Sequence, residues 1–413
     1  MRILHLLSQR PDATGSGIYV QAMMREARAK GYHNFLVAGI DPGERGLPGD
    51  IDRDACSFVE FNSEDLPFPI VGMSDVMPYP SRRFRDLTPP ELIRYRRSFE
   101  VRIQNAVNRF RPDILHSHHL WLMTTFVRRL VPDLPLVTSC HGTDLRQFET
   151  CSHLQEIVRP AMRRLDAVLA LSRIQREEIL VMHDLPPERV VVTGAGFRGD
   201  LFRMPDHKPA PPPVQLIYAG KLCRAKGLPN LLRALCNVKD LPWHLTLAGG
   251  GSGPEKEECL QGVYALGERV TYIGSVSQPE LALAMQNAHV FILSSFFEGL
   301  PLVLLEAMAC GCRVIATEVP GVRELFEINF SPWVTTLPTP PLRQVDRPLP
   351  GTEAAFEARL AECLRLQIQA VLDKPAIPAD EIRRFLEPFS WPKVFARIER
   401  VYKNLINSRR KAG

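Results

Sequence analysis

The stretch RILHLLSQRPDATGSGIYVQAMMREARAKGYHNFLVAG, residues 2–39, decides the class of fold. RILHLLSQ is a short apolar run of the kind a buried strand needs, and PDATGSG then turns the chain. IYVQAMMREARAKGY carries apolar residues at helical spacing and runs past Gly31, a residue suited to a helix C-terminus. NFLVAG returns to strand patterning. Strand, glycine-containing turn, helix, strand is a βαβ unit, which calls for a parallel sheet with helices on both faces.

Outward from there the rhythm repeats. PDILHSHH, PLVTSCHG, AVLALS and RVVVTGAG read as short strands, separated by helical stretches such as SFEVRIQNAVNRF and SRIQREEILVM. MPDHKPAPPP, residues 204–213, has five prolines in ten residues and predicts a stiff linker. Alternation then restarts with VQLIYAG, GLPNLLRALCNV, WHLTLAGGG, RVTYIGS, PELALAMQNA, HVFILSS, PLVLLEAMACG and RVIATE. The expected class is α/β, with two Rossmann-like doubly wound domains facing a central cleft. Their bounds are 1–203 and 214–385, with a closing helix in 386–413 crossing back to the first. Residues 331–351 read as a proline-rich surface excursion, followed by two further helical stretches. Open α/β sheets bind ligands beyond the carboxyl ends of their strands.

A chain of 413 residues exceeds the usual size of one core, which agrees with two domains. A net charge of +5 is mild at this length and does not point to nucleic acid. Nine cysteines without zinc spacing or a secretion signal fit a reducing cytosol, and no run reaches membrane-spanning length. From Arg82 to Arg111, nine arginines stand against three acids. That basic 82–111 segment reads either as a solvated face or as a surface for anionic lipid, placing the protein in the cytoplasm or peripherally at the inner face of a membrane.

Two carboxylates sit in the apolar run FFEGLPLVLLEAMACG, residues 296–311. Glu298 lies in a strand-to-helix turn, where the N–H groups of Gly299 and Leu300 face the positive end of a helix opened by Pro301. Glu306 lies within that helix. The pair is either a cap and a salt-bridged surface residue, or two groups reaching one ligand. In YAGKLCRAKG, Lys221 and Lys226 follow a strand, as solvated lysines or as point-charge clamps for a diphosphate. AGGGSGPE, with Gly250, adds a loop at the same edge. Gly15-Ser16-Gly17 lacks the third glycine of a dinucleotide fingerprint and suits a close backbone approach to phosphate. SCHGTD puts His141 and Asp144 after a strand, where a histidine can bond a sugar hydroxyl or simply hold a turn. In HSHH, His116, His118 and His119 have no metal spacing along one strand, so structural or acceptor-side roles are expected and no metal. Asp50-Ile51-Asp52 and Asp52-Arg53-Asp54 follow a turn and read as surface charge.

The pattern resembles the family-4 retaining glycosyltransferases of GT-B fold. EGLPLVLLEAMACGCRVIAT carries the likeness, and Glu298 and Glu306 are similar to that family's E-x₇-E pair. AGKLCRAKGLPNLLRAL, LTLAGGGSG, VTYIGSV, HGTD, GSGIYV and FSWPKVFARIERVY extend it along nearly the whole chain. The resemblance implies a nucleotide diphosphate sugar donor, a UDP-sugar or a GDP-sugar, and no further cofactor. It implies that Glu298 meets the sugar hydroxyls and Glu306 the ribose. Lys221 and Lys226 would hold the diphosphate with the backbone of Gly299, Leu300 and Gly17. Ile273 and Gly274 would border the base, and His141 the transferred sugar. His118 and Asp144 stand as acceptor-side candidates for a glycan or lipid-linked acceptor. GAGFRGDLF departs from the family's NG-V-D signature, and the region after 325 departs as well. A dehydrogenase lacks its fingerprint here. An epimerase or a phosphorylase of similar form, or a non-catalytic sugar-binding scaffold, are the rival readings.

Overall fold

The structure, a computed structural model, describes every residue except 13, 43–51, 75–76, 327–331, 345 and 413. Asp50-Ile51-Asp52 therefore lies in part outside the described residues. The chain divides into two compact units, Met1–Ala195 with Trp391–Gly413, and Gly196–Ser390.

The first unit is built on a seven-stranded parallel sheet. Its strands run in the order Cys56–Glu60, His33–Ile40, Arg2–Leu7, Ile114–His118, Leu136–Ser139, Ala167–Ala170 and Val190–Val192. Alternation along the strands sends Leu4, Leu6 and Leu115 into an aromatic-rich core with Phe61, Tyr95 and Phe99. His5, His116 and His118 consequently point to the other face. That side includes the helices Gly15–Ala29 and Trp391–Ala412, which pack on one another. Thr14 caps the first of these by accepting the Gly17 N–H at 3.1 Å. A Cβ on Gly17 would stand 2.5 Å from the Pro11 carbonyl oxygen, so the chain's own turn already requires glycine there.

The second unit holds a six-stranded parallel sheet in the order Val270–Gly274, Trp243–Ala248, Val214–Ala219, Val290–Leu293, Arg313–Thr317 and Val334–Leu337. Leu228–Cys236, Gly253–Leu266 and Glu353–Asp373 supply one apolar layer. Gln278–Gln286, Leu302–Ala309, Pro320–Phe326 and Ala379–Leu386 supply the other.

Three differences from the sequence reading have physical causes. The proline-rich stretch 204–213 lies inside the second unit rather than ahead of it. Lys208 Nζ donates to the carbonyls of Met285, Gln286 and Ala288, at the C-terminal end of a helix where a cation is favoured. His289 Nε2 and the Pro209 carbonyl lie 2.9 Å apart. The excursion expected at 331–351 contains the strand Val334–Leu337, whose Val334 and Leu337 are buried on the sheet. Its flanking prolines disguise a four-residue strand. After residue 351 there are three helices among the described residues, Glu353–Asp373, Ala379–Leu386 and Trp391–Ala412, where two were expected.

Candidate functional site

In the second unit every loop of interest leaves the carboxyl end of a parallel strand. These loops touch one another through glycine. A Cβ on Gly249 would lie 1.8 Å from the Gly220 carbonyl oxygen, and one on Gly227 2.0 Å from that of Ser294. Gly321 stands in the same relation to Gly299, also at 2.0 Å. Backbone bonds fix the set: Gly249 N–H donates to Gly274 O at 2.7 Å, Leu222 N–H to Gly250 O at 2.9 Å, and Phe296 N–H to Ala225 O at 3.0 Å. The tyrosines below complete it, with Tyr218 donating to Lys221 O and Tyr272 to Gly249 O, both at 3.0 Å. Gly250 and Gly274 are thus tied into the loop framework.

Lys226 and Glu298 meet on this framework. Nζ donates to Oε1 at 2.6 Å, and both side chains are largely buried. The sequence reading assigned them separate ligand contacts; the structure makes each the other's partner. Partly buried charges gain when they are paired, and the two loops approach closely enough for the pair to form. Lys221 is exposed and has no ion pair among the described residues. Gly299 and Leu300 precede the helix Leu302–Ala309, and their N–H groups find no acceptor among the described residues. Donors so placed suit an anion. Ile273 sits where the strand register slips between Leu247 and Ala248, opposite no partner residue, and the residue is 38% exposed. A bulge of this kind leaves main chain available for a ligand.

Glu306 occupies the body of the same helix, half-buried, with no side-chain hydrogen bond or ion pair among the described residues. It is not the salt-bridged surface residue that one reading allowed. Burial alone raises its carboxyl to about 7. The folded protein therefore favours the protonated form more than the unfolded chain does. The stabilisation is full below the unfolded value of 4.5 and is lost as pH rises through about 7. Glu306→Gln is expected to flatten the decline between pH 5 and 8, on the order of 1–3 kcal/mol. Urea unfolding at the two pH values measures it, and identical slopes in both proteins would reject the assignment.

In the first unit, His141 lies in the strand-to-helix turn before Thr143–Thr150. Burial lowers its imidazole to about 3, so the ring is neutral at working pH. Its Nε2 lies 3.4 Å from His118 Nδ1, and its ring meets the edge of Tyr19 at 5.0 Å between centroids. The two acceptor-side candidates are placed differently from expectation. Asp144 is fully buried, and its carboxylate accepts the N–H of Leu120 at 2.7 Å and of His141 at 3.1 Å. It ties two loops together and has no face left for an acceptor. His118 is also fully buried, since its strand turns it toward the covered side of the sheet. The Gly17 N–H, expected on a phosphate, is taken by Thr14. Sequence reasoning passed over His5, Tyr19 and Tyr402, which converge on this cluster. A lone histidine or tyrosine in an apolar run gives no signal of its own.

Comparison with known proteins bears on this arrangement. The model for glycosyl transferases group 1 matches residues 203–337, and the glycosyl transferase 4-like domain matches 14–196. A Salmonella typhimurium protein named as the colanic acid biosynthesis glycosyltransferase WcaL is 28% identical over 240 residues, 56% of this chain and 55% of that one. The chain thus matches about half the length of that relative. Glycogen synthase of Mycobacterium tuberculosis is 23% identical over 307 residues, covering 71% of this chain and 69% of its own. Among solved structures, Anabaena HepE in complex with UDP-glucose superposes with a TM-score of 0.66 at 16% identity, covering 98% and 100% of the two chains. Sucrose-phosphate synthase from Thermosynechococcus elongatus gives 0.69 at 19% identity, covering 99% and 100%. These structures share the fold. With both family models matched in succession, the chain belongs to the family-4-like glycosyltransferases and has the GT-B fold.

Proposed function

We propose that the protein is a retaining hexosyltransferase that moves a sugar from a UDP-sugar or GDP-sugar to a hydroxyl of a glycan or lipid-linked acceptor in cell-envelope polysaccharide synthesis. The observation that carries this reading is the grouping of Lys226, Glu298 and the N–H groups of Gly299 and Leu300, which find no acceptor among the described residues, ahead of the helix that carries half-buried Glu306. Breaking the anomeric bond develops negative charge on the leaving diphosphate. A lysine and two backbone donors at a helix start are suited to stabilise that charge, which is electrostatic catalysis. Glu306, able to donate or accept near neutral pH, suits ribose hydroxyls. Neutral His141 suits a hydroxyl of the transferred sugar. Retention needs no protein nucleophile when the departing phosphate oxygen takes the acceptor proton, and no metal or further cofactor enters this scheme. Support for the donor class comes from HepE, solved with UDP-glucose, and for the pathway from WcaL and the amylovoran biosynthesis glycosyltransferase AmsK of Erwinia amylovora.

The acceptor reading extends to a membrane surface. The helix Pro89–Phe110 exposes Ile93 and Val101 among exposed Arg94, Arg97 and Arg102, an apolar and cationic mix suited to anionic lipid. No helix among the described residues is long and apolar enough to cross a membrane.

Thermal unfolding with UDP-glucose and other UDP- and GDP-hexoses tests the donor assignment. A cognate donor at a hundredfold excess over its Kd is expected to add about 2.7 kcal/mol of stability. Mass spectrometry of the products then separates transfer, which lengthens an acceptor, from epimerisation, which alters the donor alone. A folded protein unshifted by every nucleotide sugar would overturn the proposal.

A further inference from the structure

Beneath His141, on the helix-covered face of the first sheet, lies a group that sugar transfer does not use. His116 and His118 are two residues apart on one strand and so point the same way. His5 stands directly opposite His116 on the neighbouring strand, in register with it. A reading of HSHH alone misses this third ring, because it comes from a strand more than a hundred residues earlier. All three are fully buried, and one nitrogen from each falls within 4.8 Å of the others.

We infer that His5, His116 and His118 form a three-imidazole site for a divalent transition metal of the zinc class, bound within the first unit as a structural ion. Two buried nitrogens, His5 Nδ1 and His118 Nε2, have no hydrogen-bond partner. Such atoms cost free energy unless something coordinates them. The opposite nitrogen of each ring is already held: His5 Nε2 lies 3.2 Å from Asn34 Oδ1, and His118 Nδ1 3.4 Å from His141 Nε2. His116 has a hydroxyl at both nitrogens, Ser139 Oγ at 2.8 Å from Nε2 and Tyr402 Oη at Nδ1. Whichever nitrogen ligates, the other keeps an orienting partner. One nitrogen anchored and the other left without a partner, as in His5 and His118, fits the pattern of outer hydrogen bonds that fixes metal-binding histidines. Two histidines alternating on a strand with a third from its neighbour supply a His₃ donor set, and a bound water would complete four-coordination on zinc. Ligating nitrogens about 2.0–2.1 Å from a tetrahedral ion stand about 3.4 Å apart, so binding draws the rings inward by roughly an ångström. Since the rings are covered, loading is expected to accompany folding.

The test uses the full chain, unfolded with chelator and refolded with zinc or with cobalt, then freed of loose metal. One equivalent of zinc per chain is expected, with a raised unfolding temperature. Cobalt should give the intense visible bands of a tetrahedral nitrogen-rich site. His5→Asn and His118→Asn are each expected to weaken binding roughly tenfold or more. His153→Asn and His207→Asn, at exposed positions, should leave it unchanged. If the core variants do not fold, the wild-type stoichiometry and cobalt spectrum decide alone. Refolded wild-type protein that retains no metal, an octahedral cobalt spectrum, or full binding by the folded core variants would each overturn the inference.

Discussion

Lys226→Ala is expected to reduce sugar transfer about 10²–10³-fold, the usual cost of removing one preorganised donor from a developing anion. The donor-free protein should lose little stability, about 1 kcal/mol, because both partners retain some solvent contact. The direct Lys226–Glu298 contact makes the companion substitution more informative. In the donor-free state a diphosphate must compete with Glu298 for the ammonium group, which is 2.6 Å from its carboxylate. Glu298→Gln removes that competing charge while keeping an oxygen able to accept a bond. UDP alone is therefore expected to bind more tightly to Glu298→Gln than to wild type, while transfer falls by a factor similar to that of the lysine variant. Calorimetric titration with UDP beside a turnover assay separates the two effects. If UDP affinity and turnover fall together in Glu298→Gln, the carboxylate does not restrain Lys226. Full turnover in Lys226→Ala would remove the lysine from the reaction altogether.

The parallel strands and the glycine loops at their ends were legible because both are local signals. Apolar runs such as VQLIYAG and HVFILSS have strand length, and glycines mark the points where backbones approach within a Cβ of one another. Cys56–Glu60 was passed over because its alternation is weak on an edge strand, and Val334–Leu337 because prolines surround it. Pairings between distant segments left no trace in the sequence. Nothing in AKG or FEG announces that Lys226 meets Glu298, 72 positions later. His5 reads as an interruption of an apolar strand until its register with His116 is known. The expected roles of Gly17, His118 and Asp144 failed for a common reason. Gly17 and Asp144 lie in stretches the family pattern marks and His118 in the HSHH run, but side-chain direction and internal hydrogen bonding decide whether a singled-out residue can face a ligand.

Asp144→Asn should be the most damaging isosteric change in the first unit. The carboxylate is fully buried, with Oδ2 accepting Leu120 N–H at 2.7 Å, Oδ1 accepting His141 N–H at 3.1 Å, and the Cys140 thiol 3.4 Å from Oδ1. Burial works to raise its pKa, while these donors act to lower it. An asparagine supplies one acceptor oxygen: placed at Oδ2 it keeps the Leu120 bond and only the longer 3.3 Å contact from His141 N–H, and placed at Oδ1 it loses Leu120, while its N–H₂ faces a donor in either orientation. An unsatisfied buried donor costs about 1–3 kcal/mol, and opposed donors add to that. The expected loss is therefore roughly 2–4 kcal/mol, or some 4–16 °C in Tm for a unit of this size. The freed loop carries His141. Transfer should fall further than the unfolded fraction explains, while UDP affinity, which the proposal assigns to residues of the second unit, should stay near wild type. Backbone amide shifts of Leu120 and His141 report the lost bonds directly. A variant with wild-type Tm and unmoved amides at both positions would show that the carboxylate does not hold these loops, and His141 would need another anchor.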